Sequence, residues 1–172
     1  MTKPDPSLLR DVVAPKVLDA MRLASEALTR AGVRHVLVGG LAVGANGYPR
    51  ATKDVDFLVG SEAFEHHAGG LVTLRAGVPF QVDGIAVDFL SPDETESFLE
   101  AALSAAAGAV IEAPALVYMK LKAGRLKDRA DVVELIKASI DVDACRAYLS
   151  ANAPALAPAF EDAVRLAVAE DE

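Results

Sequence analysis

The chain has 172 residues, of which 52% are hydrophobic and 24% charged, and its net charge is −8. That balance belongs to a folded globular chain rather than a disordered one, and the length suits one domain, or one domain with a small helical appendage. Acidic residues spread without a basic block argue against a large nucleic-acid footprint, which needs clustered Lys and Arg to neutralise phosphates.

No run approaches the ~18 uninterrupted apolar residues of a membrane span, and the opening Met-Thr-Lys-Pro-Asp-Pro lacks a signal-type apolar stretch, so no membrane partner and a cytoplasmic location are expected. The single cysteine, Cys145, has no internal disulfide partner and reads as an ordinary thiol in a helical, alanine-rich segment.

In chain order, residues 1–14 hold Pro4 and Pro6 and read as a flexible arm. Pro15 suits the first turn of a helix running to about residue 31, with Val17, Met21, Ala24 and Leu28 on one face and Gly32 as its stop. Residues 34–38 are short and β-branched and break at Gly39-Gly40, which predicts a buried strand and tight turn. A brief helix over 41–46 follows. Residues 54–59 alternate as a strand, with Val55, Phe57 and Val59 on one side and Asp54, Asp56 and Leu58 on the other. Residues 61–68 read as a helical turn carrying His66 and His67 on its surface, and 72–75 as a strand. Asp83-Gly84 between 80–82 and 85–90 is the strongest hairpin signal in the sequence, which makes Asp83 a turn residue. The rest reads as a helix over 94–107, a short strand over 109–112, and helices near 114–125, 128–138, 141–151 and 155–169. The expected organisation is the arm (1–14), an α/β core of α+β type (15–112) and a C-terminal α-helical region packed on it (113–172).

The chemistry lies in the acids. Asp54 and Asp56 emerge on one strand face about 7 Å apart at the backbone, where an apolar strand rarely tolerates two carboxylates unless a cation compensates them. Asp88 likewise interrupts the hydrophobic run 85–90. Three such acids suit Mg²⁺, a hard ion taking oxygen ligands from a few carboxylates, water and phosphates; two ions about 4 Å apart can serve in-line displacement at phosphorus. Upstream, Gly39 and Gly40 leave backbone N–H groups bare for a phosphate. The dense basic run Lys120, Lys122, Arg125, Lys127 and Arg129 stands apart from the otherwise scattered charge. Arg50, Thr52 and Lys53 form the loop before the acids, either meeting phosphate or acceptor or lying in solvent; Arg50 is the candidate taken from it.

Strand, Gly-Gly, short helix, loop, Asp-Val-Asp strand and a later Asp on a hairpin strand together resemble the DNA polymerase β type nucleotidyltransferase superfamily. Within it, Val38 to Val43 and Arg50 to Val59 are similar to small bacterial proteins related to the AbiEii toxin, over residues 33–132. The resemblance implies a mixed sheet flanked by helices with a C-terminal helical bundle. It also implies transfer of a nucleotidyl group from an NTP such as ATP to an acceptor hydroxyl on tRNA, protein or a small molecule. Asp54 and Asp56 would hold both Mg²⁺ ions and Asp88 one, and a cognate toxin or antitoxin partner is expected. In the toxin relatives a helical Lys and a basic-Asp-x-x-Asp segment help hold the nucleotide. Lys120 and the run Lys127-Asp128-Arg129-Ala130-Asp131 match that order, making Lys120 the candidate triphosphate contact. Read without the resemblance, Lys120 is an exposed helical position and Asp128 a helix cap. Many active transferases have Gly-Ser where this chain has Gly39-Gly40, so an alternative is an inactive binding module such as an antitoxin-like partner.

Overall fold

A computed structural model of the chain describes residues 3–171. The first helix, α1 (Pro15–Arg30), buries Val17, Ala20, Ala24 and Leu28, which recur at helical spacing and face one side of a sheet. The chain then forms β1 (His35–Val38), α2 (Gly39–Ala45), β2 (Val55–Val59), β3 (Phe64–His66), β4 (Val72–Leu74), β5 (Gln81–Val82) and β6 (Ile85–Leu90). The helices α3 (Glu100–Leu103), α4 (Ala113–Ala123), α5 (Leu126–Lys137), α6 (Val142–Asn152) and α7 (Ala157–Glu170) complete it. No helix among the described residues is long and apolar enough to cross a membrane.

The main sheet has the order β1-β2-β6-β5. β1 runs antiparallel to β2, β2 parallel to β6, and β6 antiparallel to β5, so the sheet is mixed. Side-chain alternation sorts the strands between two cores. Leu37, Val55, Phe57, Val59 and Val87 pack with α1, whereas Val36, Val38 and Leu58 pack with residues of α4 to α7. The helical region therefore shares a core with the sheet's second face. The hairpin forms at Asp83-Gly84, both with positive φ (50° and 80°), the geometry that a two-residue turn with right-handed strand twist requires.

Three segments differ from their sequence reading. Residues 61–68 hold only a short 3-10 turn, after which Phe64–His66 extends as β3 and pairs antiparallel with β4. His66 thus lies on a strand and not on a helix. Residues 94–107 hold a 3-10 turn and one helical turn, because Glu96 is buried and draws the chain down onto α4, accepting from the Tyr118 hydroxyl at 2.7 Å and pairing with Lys122 at 2.8 Å. The stretch over 109–112 makes one parallel bridge, Val110 to Leu37, rather than a strand.

The arm expected over 1–14 is a correction among its described residues. The Asp5 N–H donates to the Ala45 carbonyl at 2.7 Å, Asp5 caps a short 3-10 turn over Pro6–Leu9, and Leu9 and Val13 are buried. Leu9 fills the space over Gly44, where a Cβ would collide with its Cδ2. Burial of two apolar anchors offsets the entropy that would otherwise leave the segment loose. Leu9→Ala should therefore lower stability by about 3 kcal/mol and the melting midpoint by roughly 10 °C. A calorimetric scan in which the variant melts with the parent would return this segment to a loose arm.

Candidate active site

The register of β1, β2 and β6 builds the site. Val38 of β1 pairs with Asp56 of β2, and Asp56 pairs with Asp88 of β6, so the three lie in one row across the sheet. Adjacent strands are about 4.8 Å apart, which places the two carboxylates side by side on the face shared with α4. Asp54 precedes β2 and joins them in lining a cleft of about 580 Å³. Asp54 and Asp88 are exposed and Asp56 is half-buried, with Leu58 fully covered one position along its own face.

Gly39 and Gly40 close one end of this row, and both belong to the first turn of α2 rather than to a loop before it. Gly39 holds φ +68°, and a Cβ there would run into the Asp56 carboxylate. The missing side chain is what lets Asp56 lie against the turn.

The opposite wall comes from α4 and the start of α5. Leu116, Met119, Lys120 and Ala123 present one helical face to the cleft. Gly124 ends α4 in the left-handed conformation (φ +67°) and returns the chain, so that Arg125, Lys127 and Asp128 line the same space. Lys120 reaches the cleft wall, but as a paired cation. It is 7% exposed, and its Nζ donates to Asp131 at 2.8 Å and to Asp128 at 3.2 Å. Arg50 grips Asp131 through Nε and Nη2, both at 2.8 Å, and Arg125 holds Asp128 through Nε at 2.7 Å. Asp128, read as a helix cap, is instead 1% exposed inside this network, and no side chain caps α5.

Burial alone would raise the carboxyl pKa values of Asp128 and Asp131. Hydrogen bonds and charge from Arg125 and Lys120 on the first, and from Arg50 and Lys120 on the second, outweigh it and hold both below the usual range. Asp56 shows the reverse. Burial first, then the negative charge of Asp88 and Asp54, push it up to about 6 against the pull of Lys120 and Arg125. Among the described residues no ion pair compensates Asp54, Asp56 or Asp88, whereas the two aspartates of α5 are fully partnered.

The donor set of the row, carboxylate oxygen only, suits a hard divalent cation. Among the described residues no three acidic, histidine or cysteine side chains converge closely enough to enclose an ion by themselves. Mg²⁺ is one such ion, ordinarily held by one or two carboxylates while water and substrate phosphates complete its octahedron. The residues brought together are Asp54, Asp56, Asp88, Gly39, Gly40, Arg50 and Lys120, all expected from sequence, together with Thr52, Lys53, Arg125 and Lys127. Asp131, which fixes both Arg50 and Lys120, has no signal in sequence beyond its i, i+3 spacing from Asp128 behind a basic run. Two larger hollows of about 820 and 740 Å³ lie around α1 and around residues 98–115; they contain none of these acids.

The uncompensated charge on Asp56 has a measurable sign. A raised carboxyl pKa means that the folded state binds its proton more tightly than the unfolded state, so stability is retained below the unfolded value near 3.8 and lost as pH rises through about 6. In metal-free buffer at pH 8, Asp56→Asn should therefore be more stable than the parent by roughly 2 kcal/mol, the difference closing as the pH falls toward 4. Denaturant titrations at the two pH values check it, and an Asn variant less stable at pH 8 would mean that the carboxylate is compensated after all.

No known family model matches the chain, and no curated protein does. Among solved structures it is similar to the crystal structure of an antigenic nucleotidyltransferase-like protein from Paracoccidioides brasiliensis, with 15% sequence identity, coverage of 87% of this chain and 94% of that one, and a TM-score of 0.44.

Proposed function

We propose that the chain is a Mg²⁺-dependent nucleotidyltransferase of the DNA polymerase β type, similar to the AbiEii-related proteins, which moves a nucleoside monophosphate from an NTP to an acceptor hydroxyl. The observation that carries this reading is the pairing of Asp56 with Asp88 in one row beside Asp54, inside a cleft whose facing wall supplies Arg125 and Lys127. One wall of the cleft invites cations and the facing wall a polyanion, which is the charge pattern of a metal-bound triphosphate.

Asp54, Asp56 and Asp88 would hold the metal, which when bound supplies Lewis-acid stabilisation of charge at phosphorus. The chain's own groups do the rest. Exposed Arg125 and Lys127 take the phosphate charge, and the Arg50–Asp131–Lys120 network keeps the loop before the acids fixed against α4 and α5. In the net reaction the acceptor oxygen bonds to the α-phosphorus and the bond to the pyrophosphate oxygen breaks. The acceptor's proton passes to a carboxylate or to solvent. The acceptor is one of three classes, tRNA, protein or a small molecule, and a toxin or antitoxin partner belongs to the same proposal.

Incubation with each α-labelled NTP, Mg²⁺ and cell extract should transfer label to an acceptor, and Asp56→Asn should reduce the transfer by about a hundredfold or more. A fold kept for binding without turnover would give no transfer from any NTP and no Mg²⁺-dependent NTP binding by calorimetry, and that result would sink the proposal.

A further inference from the structure

Resting on that reading, we propose that Thr52 supplies a hydroxyl contact to the nucleotide's polyphosphate, from the space that a side chain at position 40 would fill. Gly40 is not among the positive-φ glycines, so its backbone conformation admits any residue. What excludes a side chain there is crowding from the loop before the acids. A Cβ at position 40 would stand 3.0 Å from Thr52 Oγ1, 3.1 Å from its Cγ2 and 3.3 Å from Arg50 Nη1. A hydroxyl and a guanidinium tip therefore lie together on the first turn of α2, next to the glycine against which Asp56 rests, and both residues line the cleft.

Neither donor is firmly engaged. The Thr52 hydroxyl donates to the Arg50 carbonyl at 3.2 Å, well beyond the ~2.7–2.8 Å usual for O–H···O bonds. Arg50 commits Nε and Nη2 to Asp131, while Nη1 has only the Ala51 carbonyl at 3.5 Å. A hydroxyl proton rotates freely, and an anionic phosphate oxygen is a stronger acceptor than a distant amide carbonyl. Thr52 thus trades a weak internal bond for a charge-assisted one, while the bidentate hold on Asp131 keeps the loop in place.

Calorimetric titration with each Mg²⁺–NTP, and with Mg²⁺–tripolyphosphate as a probe without a base, tests the assignment alongside melting scans. Thr52→Val keeps the shape and removes the hydroxyl, so binding should weaken about tenfold with melting close to the parent's, while Thr52→Ser should bind within about twofold of it. Gly40→Ser alone should melt lower and bind poorly, because two hydroxyl side chains contest one space. In the Thr52→Ala background the same serine should restore both melting and affinity, having moved the hydroxyl across the gap. Thr52→Val binding as tightly as the parent, or failure of the double variant to recover affinity, overturns this inference while leaving the nucleotide reading intact. Absence of any Mg²⁺–NTP binding by the parent overturns both.

Discussion

Everything at this site depends on one pairing, the parallel register that sets Asp56 of β2 against Asp88 of β6. Strand side chains alternate with a period of two, so a slip of one residue would carry Asp88 to the face where Val55, Phe57 and Val87 form a core with α1. A carboxylate there would be desolvated without a partner, while valine and phenylalanine moved to the cleft. The apolar face of β6 therefore enforces the register, and the register delivers the acids. The hairpin at Asp83-Gly84 fixes where β6 begins, so a turn distant from the cleft helps to set which side chains enter it.

The two groups of aspartates in the cleft follow opposite logic. Asp128 and Asp131 are almost fully buried, yet each has two cationic partners, and their cost of desolvation is met by Lys120, Arg50 and Arg125. Such networks add little net stability compared with an apolar core, but breaking one is expensive because a charge is left buried and alone. The network accordingly acts as a device of position, tying the loop before β2 to the start of α5. Among the described residues Asp54, Asp56 and Asp88 have no such ion-pair partners, and burial first, then the negative charge of Asp88 and Asp54, pushes the Asp56 carboxyl up. A fold selected for stability alone would have neutralised that row; one selected to bind a cation would keep it short of positive charge.

How far the sequence revealed this follows from the range of each interaction. The faces of β2, the hairpin turn and the span of α1 come from local periodicity and turn chemistry, and they were legible. The fate of Lys120 was not, because its partners lie eight and eleven residues away, beyond the Gly124 bend, on a different helix. The proline-bearing N-terminal segment read as an arm because composition does not show that Leu9 finds a slot over Gly44. Residues 94–107 have helical composition, but Glu96 satisfies Tyr118 and Lys122 instead of continuing a helix, a tertiary contact overriding propensity. The strand β3 exists only through its pairing with β4, as expected of a short polar segment.

The glycine pair is shaped by its neighbours. Two adjacent glycines before a helix suggest bare backbone kept open for a ligand. Here the space is taken by the protein itself, with the Asp56 carboxylate against Gly39 and the Thr52 side chain against Gly40. Each glycine makes room for another residue to come close. The two needs differ in kind: at position 39 the positive φ and the crowding both oppose a side chain, whereas at position 40 only the crowding does. Position 40 is therefore coupled first to Thr52 and then to the Arg50 guanidinium, and it gains room if Thr52 shrinks, while position 39 stays fixed as long as Asp56 is needed where it lies.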